Sequence, residues 1–454
     1  MSSADDKQPS AKPAARPTGL AAMARQRLIE RLRGPAAPGG ASARLQEEHA
    51  DPHPRVPESL CRFDTHPAYE KLLVSQTAAQ RVGVGNPFFK VHESAAGATT
   101  RIAGREYVNF SSYDYLGLNG HPRIEEAVLQ AVRRYGTSAS ASRLVAGERP
   151  IQRELEAELA AFYGAQACVA FVSGHATNVS TIGSLFGPKD LVLHDALAHN
   201  SVLEGIKLSG AHRRGFAHND WQQLDALLHQ MRGDFERVLV VVEGLYSMDG
   251  DLPELPRFIE VKRRHKALLM VDEAHGLGVL GATGRGVAEH WSIAPDGVDI
   301  WMGTLSKSLA GCGGFVAGSR PLVELLKYTA PGFVYSVGLS PAMAAASLEA
   351  LRMLREQPER VQALQRNGQL LRDYARTRGI DTGLSMGYAI TPAILGSSLR
   401  AVKASNALFE RGFNVQPIVH PAVEERAARL RFFVSASHTA AQITSAVDAL
   451  ARAL

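Results

Sequence analysis

The residues of this 454-residue chain that could do chemistry stand where apolar runs end. Lys307 lies in GTLSKSLAGCGG, Gly303 to Gly314, with Thr304, Ser306 and Ser308 around it and glycines after it. A lysine in a tight loop of small hydroxyl residues sheds water. A desolvated ammonium has a lowered pKa, and its neutral amine attacks carbonyls to form imines. A solvated surface lysine is the other reading of this stretch. Asp272 closes the apolar run Ala267 to Val271. A carboxylate there needs a cation or several donors. His275 follows on the same turn. Ser173-Gly174-His175 opens a helix after the apolar run Cys168 to Val172, and free N–H groups at such an opening can hold a phosphate. An imine-forming amine, a buried acid and a phosphate cradle are together what pyridoxal phosphate requires. The acid keeps the pyridine nitrogen protonated, and the ring becomes an electron sink.

The elements that must position these residues follow from the pattern. A helix is expected over 63–80, then a hairpin turn and strand at Gly104 to Phe110. The strand runs into SSYDYLGL, where Tyr113 and Asp114 suit a site wall. Helices follow at Pro122 to Tyr135 and Gln152 to Tyr163. From Ala167, short apolar runs alternate with helical ones: strands at 168–172, 191–193, 214–217, 238–243, 267–272, 299–302 and 315–317. Strands buried on both faces and alternating with helices predict a mostly parallel α/β sheet. Ligands of such sheets bind at the carboxyl ends of the strands. Those ends are Ser173 to His175, His194 to His199, Glu243 to Gly250, Asp272 to His275, and Lys307. Helices are predicted at 321–328 and 341–357. A C-terminal α/β segment runs from about Asp381, with a strand at Leu430 to Val434 and a final helix from Ala440.

Bulk properties narrow the class. Hydrophobic residues make up 45% and charged residues 21%, enough for a large core. A net charge of +5 is small for this length and argues against nucleic acid as the main partner. Cys61, Cys168 and Cys312 have neither disulfide nor metal spacing, so no metal is expected and a reducing cytoplasm is. No apolar run has transmembrane length, and the N-terminus lacks the core of a secretory signal. Residues 1–58, rich in Ala, Pro, Arg, Gly and Ser, read as a disordered basic tail. Within it, Ala22 to Arg33 has the pattern of a short basic amphipathic helix, which is either solubilising or a docking segment.

The stretches NFSSYDYLGL, FVSGHATN, HDALAHNSVLEG, VVEGLYSMDGDLPEL, LMVDEAHGLGVLGATGRG, GTLSKS and ARLRFFVSASHT resemble, in this order, the α-oxoamine synthase family of fold-type I pyridoxal-phosphate enzymes. That family includes 8-amino-7-oxononanoate synthase, 2-amino-3-ketobutyrate CoA ligase, 5-aminolevulinate synthase and serine palmitoyltransferase. The resemblance spans about Asn86 to Leu454. It implies a seven-stranded-type, mostly parallel sheet in a large domain over 121–335. An N-terminal arm over 59–120 would precede it, and an interdomain helix with a small α/β domain over 336–454 would follow.

It also implies roles. Lys307 would hold the cofactor covalently, Asp272 would pair with the pyridine nitrogen and His275 would contact the ring hydroxyl. His199 would stack on the ring and act in catalysis. Ser173, Gly174, His175 and Thr304 would hold the phosphate, and Ser247 and Glu243 would line the pocket. Arg431 would grip the amino acid's carboxylate, with Arg429 its near competitor. Where the family is glycine-rich, this chain has GTSASASR. Ser336 stands where a hydroxyl donor to the partner subunit's phosphate is expected, and His420 where some members carry a substrate-binding arginine. The implied reaction is decarboxylative condensation of an α-amino acid with an acyl thioester, catalysed by a cytoplasmic homodimer. The donor would be acyl-CoA or an acyl carrier protein, the latter suiting a basic tail. An aminotransferase, an aldolase or a non-catalytic subunit are the alternatives.

Overall fold

The computed structural model describes residues 56–81 and 84–454. The chain divides between Asn86 and Pro87 into two compact units. The described part of the first holds a short turn, Glu58–Cys61, and helix α1, Pro67–Arg81. The amphipathic helix expected at Ala22 to Arg33 lies outside the described residues.

The second unit begins with a hairpin, β1 (Thr99–Ile102) and β2 (Arg105–Asn109). Ala103 and Gly104 turn it with φ of 48° and 74°, the left-handed pair a tight hairpin needs. Helix α2 (Pro122–Tyr135) starts with proline behind a His121 cap, since a first-turn N–H has no helical partner to lose. Helix α3 (Pro150–Tyr163) ends at Gly164 in the left-handed conformation.

The alternating pattern becomes a seven-stranded sheet. In chain order the elements are β3 (Ala167–Phe171), α4 (Gly174–Leu185), β4 (Leu191–Asp195), α5 (Asn200–Ser209), β5 (His212–Phe216), α6 (Trp221–Met231), β6 (Val238–Glu243), α7 (Leu255–Arg264), β7 (Leu268–Asp272), β8 (Ile300–Thr304), β9 (Gly314–Gly318) and α8 (Arg320–Thr329). Spatial order is β3-β9-β8-β7-β6-β4-β5. Only β9 runs against the others. Every residue of β4, β6, β8 and β9 is buried, which is why these strands read as continuous apolar runs rather than alternating ones. The register sets Glu243 beside Asp272 and Asp272 beside Met302. The acids and the Lys307 loop therefore emerge together at the carboxyl ends of three interior strands.

After α9 (Pro341–Glu356) the structure departs from the sequence expectation. A long helix, α10 (Glu359–Thr377), occupies a stretch for which the pattern predicts no element. Its many charges and interior Gly368 mask it, yet buried Val361, Leu364, Gly368, Leu371 and Ala375 recur at helical spacing. A Cβ at Gly368 would fall 1.5 Å from the Tyr388 carbonyl oxygen, so the loop approaches only because glycine is there. The unit closes with β10 (Ile390–Ile394), α11 (Ser398–Glu410), β11 (Phe413–Asn414), β12 (Gln416–Ile418), β13 (Arg429–Phe433) and α12 (Ala440–Ala451). Strands β10, β13 and β12 form a small antiparallel sheet, while β11 extends the N-terminal hairpin. Among the described residues, no helix is long and apolar enough to cross a membrane.

Candidate active site

A cavity of about 430 Å³ opens at the carboxyl ends of β3, β6, β7 and β8 and reaches β13. Its lining brings together Tyr113, Ser173, Gly174, His175, His199, Ser247, Asp272, His275, Thr304, Lys307 and Arg431, drawn from widely separated stretches of chain.

The floor is built first. Ser173 caps α4 by accepting from the Ala176 N–H at 3.0 Å. A Cβ on Gly174 would stand 3.1 Å from Thr304 Oγ1, and one on Gly314 would stand 2.7 Å from Gly174 Cα. Glycine at both positions lets the helix opening and the Lys307 loop close on each other. Thr304 Oγ1 donates to the Gly313 carbonyl at 2.9 Å and accepts from the Ser306 N–H. These bonds hold that loop.

The charged groups come next. Lys307 Nζ makes no hydrogen bond or ion pair among the described residues and lies 5.4 Å from the Tyr113 ring centroid. Burial lowers its pKa to about 8, against the opposing pull of Asp272 and Glu243. This environment favours the nucleophile over the solvated-lysine reading. Asp272 accepts from Asn178 Nδ2 at 2.8 Å and from the Ala274 N–H at 2.9 Å. Burial, then the neighbouring Asp272, drive the Glu243 carboxyl well above its ordinary value. Its Oε1 has no partner among the described residues. His275 is buried with Nδ1 2.7 Å from the Tyr115 hydroxyl, and burial pushes its pKa well below the usual imidazole value. His199 caps α5, and burial lowers its pKa too.

Two arginines on β13 diverge. Arg429 forms a buried ion pair with Asp249 at 2.6 Å and also donates to the Met248 carbonyl. Arg431 lines the cavity, donating from Nη1 to the Ser247 carbonyl at 3.0 Å, while its buried Nε has no partner. The structure thus separates two residues that the sequence leaves as competitors.

Three candidates fall outside the cavity lining. Asp114 Oδ1 accepts from the Leu118 and Asn119 N–H groups, so its carboxylate is used in holding its own turn. Ser336 is half-buried, with its hydroxyl donating to the Val337 carbonyl. His420 is exposed on the loop between β12 and β13. Sequence reasoning also misses residues the cavity contains. Asn178 lies one helical turn beyond Gly174, and Ser201 sits at the start of α5 beside His199. Helical spacing from the phosphate-type turn is the signal for Asn178. Ser201 has none beyond proximity to His199.

The chain matches the aminotransferase class I and II family over residues 105–450. It is 42% identical to an 8-amino-7-oxononanoate synthase of Methylococcus capsulatus, covering 80% of this chain and 94% of that one. It is 37% identical to the enzyme of that name from Thermoanaerobacter pseudethanolicus, covering 79% of this chain and 90% of the relative. Among solved structures it resembles serine palmitoyltransferase from S. paucimobilis, with a TM-score of 0.81 at 28% identity. That match covers 85% of this chain and 97% of the other. An 8-amino-7-oxononanoate synthase from Francisella tularensis aligns at 25% identity with a TM-score of 0.67, covering 76% and 97%.

Proposed function

We propose a substrate assignment and residue roles for a chain that belongs to the aminotransferase class I and II family and, within it, to the α-oxoamine synthases. It is a pyridoxal-phosphate-dependent acyltransferase. It condenses an α-amino acid with an acyl thioester, releasing carbon dioxide and a free thiol and leaving an α-amino ketone. The bound cofactor supplies the electron sink that makes the amino acid's Cα acidic.

The cavity fits that group. Supporting the fit are the Gly174–Thr304 cradle, the amine of Lys307 with its lowered pKa, and a buried carboxylate at Asp272. In this reading Lys307 anchors the cofactor, and its Nζ takes the Cα proton as base. Asp272 holds the ring nitrogen's proton, and His275 faces the ring hydroxyl. Ser173, Gly174, His175 and Thr304 bind the phosphate. Arg431, which lines the cavity, is the donor for the amino acid's carboxylate.

The product named for the 37–42% identical relatives has a methyl carbon, an amine-bearing carbon and then a ketone on a seven-carbon chain ending in a carboxylate. Decarboxylative condensation gives that skeleton only from alanine and a seven-carbon acyl group with a terminal carboxylate. We assign both to this chain. The observation that carries the assignment is 42% identity across 94% of such a relative. Released thiol and carbon dioxide, measured with alanine, serine and glycine against seven-carbon dicarboxylic and palmitoyl thioesters, test it. Faster turnover of serine with the palmitoyl donor would overturn it.

The donor thioester is assigned to an acyl carrier protein, an acidic partner suited to the basic tail over residues 1–58. Equal rates with acyl-CoA, or with residues 1–58 removed, argue against that docking. The active species is assigned as a homodimer. Leu144, Val145, Tyr328, Tyr335 and Val337 expose apolar surface in this chain, and Ser336 lies among them. Light scattering showing an active monomer would refute the pairing.

A further inference from the structure

We infer that Asn178 and Ser201 are positioning residues that fix the His199 imidazole in the tautomer carrying its proton on Nε2. The inference rests on the reading of His199 as a cavity residue that meets substrate.

The Asp272 carboxylate can only accept. Asn178 must therefore face it with its amide nitrogen, and the two lie 2.8 Å apart. Reversing the amide would set its oxygen against a carboxylate. The second N–H of that nitrogen points to Ser201 Oγ at 2.9 Å. Ser201 Oγ thus accepts from Asn178, and its own proton is left for His199 Nδ1, 2.7 Å away. The Ser201 backbone N–H also donates to His199 Nδ1, at 3.3 Å. Both contacts require a lone pair on Nδ1, so the proton of a neutral ring sits on Nε2.

No solvent can rewrite this sequence. Ser201 is 0%, Asn178 1% and Asp272 4% exposed. Asn178 Oδ1 is buried without a partner, which is the cost of turning both amide hydrogens onto acceptors. The order of donors therefore runs one way, from Asn178 outward to His199 and Asp272.

The consequence is chemical. Burial keeps the His199 ring below its usual pKa, so near neutrality Nε2 donates a hydrogen bond and offers no lone pair. His199 can then hold an oxygen of the substrate but cannot take a proton at Nε2. Proton removal falls to Lys307.

The test is nitrogen-15 NMR of the cofactor-loaded enzyme labelled at histidine, with the His199 signals identified by their loss in His199→Gln. A shift typical of an unprotonated Nδ1 and a protonated Nε2 is expected. A protonated Nδ1 in the wild type overturns the inference. Ser201→Ala and Asn178→Ala should each mix the tautomers, and Ser201→Thr, which keeps the hydroxyl, should restore the wild-type pattern. Unchanged tautomers in both alanine variants would refute the positioning role. Ser201→Ala should also lower kcat/KM for the amino acid about tenfold, the weight of one buried hydrogen bond, with the cofactor's absorbance retained. The tautomer is read without turnover, so a failed substrate assignment would leave this result standing.

Discussion

Two cavities of similar size lie in the second unit, and they treat charge in opposite ways. One, of about 530 Å³, sits beside the start of β3, lined in part by Arg143, Glu148, Arg153, Glu156 and Lys327. These five charges close on one another. Buried Arg143 donates to both Glu148 and Glu156, Lys327 joins Glu156 at 3.1 Å, and Arg153 joins Glu148. Against burial, the hydrogen bonds to the two carboxylates hold the Arg143 pKa above its ordinary value. In the other, of about 430 Å³, Lys307 makes no hydrogen bond or ion pair among the described residues, and Arg431 Nε and Glu243 Oε1 are buried without partners there. Volume does not distinguish them. Completed pairs mark scaffold. Buried polar groups left open mark a place where something else supplies the partner.

Breaking that contrast gives distinct readouts. Lys307→Ala should abolish turnover, by about 10³-fold or more for loss of a covalent anchor and base. It should also remove the cofactor's absorbance without lowering thermal stability. Glu156→Ala should do the reverse. It leaves Arg143 with Glu148 alone and takes away the carboxylate of Lys327, and denaturant unfolding should show a loss of about 3 kcal/mol, the low end for a broken buried ion pair, with kcat per folded molecule kept. Arg431→Ala and Arg429→Ala sharpen the same line within one strand. The first should raise KM for the amino acid about 100-fold, the weight of a charge-assisted contact. The second should instead lower the unfolding midpoint, because Asp249 loses its partner.

The smallest effects are in pH. Capture of added pyridoxal phosphate by the apoprotein, followed by absorbance, should accelerate as pH rises through about 8, where the Lys307 amine loses its proton. A midpoint near the ordinary lysine value would contradict the desolvated environment. A third region pairs its charges as the first does, with Asp251 Oδ1 buried and unpartnered among the described residues. His218 is held between Asp195 and Asp251 at 2.9 and 2.8 Å. Burial lowers its pKa, but those hydrogen bonds prevail and push it up to about 10. A folded-state pKa above the unfolded one adds stability that is complete below about pH 6.5 and fades as pH rises toward 10. His218→Gln should flatten the stability profile across that window.

Much of this arrangement is legible in the chain because strands buried on both faces leave an unmistakable apolar run, and polar residues that end such runs stand out. Lys307, Asp272, His275 and the Ser173-Gly174-His175 turn are of that kind, and the structure gathers them in one cavity. Helix α10 is less legible because its buried stripe is narrow and surrounded by charge. Asn178 and Ser201 are not legible because a small polar residue inside a helix looks the same in sequence whether it faces water or a carboxylate.

The sequence by itself determined the alternation of strands and helices, and with it the end of the sheet where the polar strand ends converge. Side-chain hydrophobicity and spacing are local properties, and they suffice for that. Only the tertiary structure decided which of Arg429 and Arg431 stays open, which carboxylate is raised, and that Asp114 is used in its own turn. Those outcomes depend on distances between groups far apart in the chain and on burial, which set electrostatic energies and which no local pattern encodes.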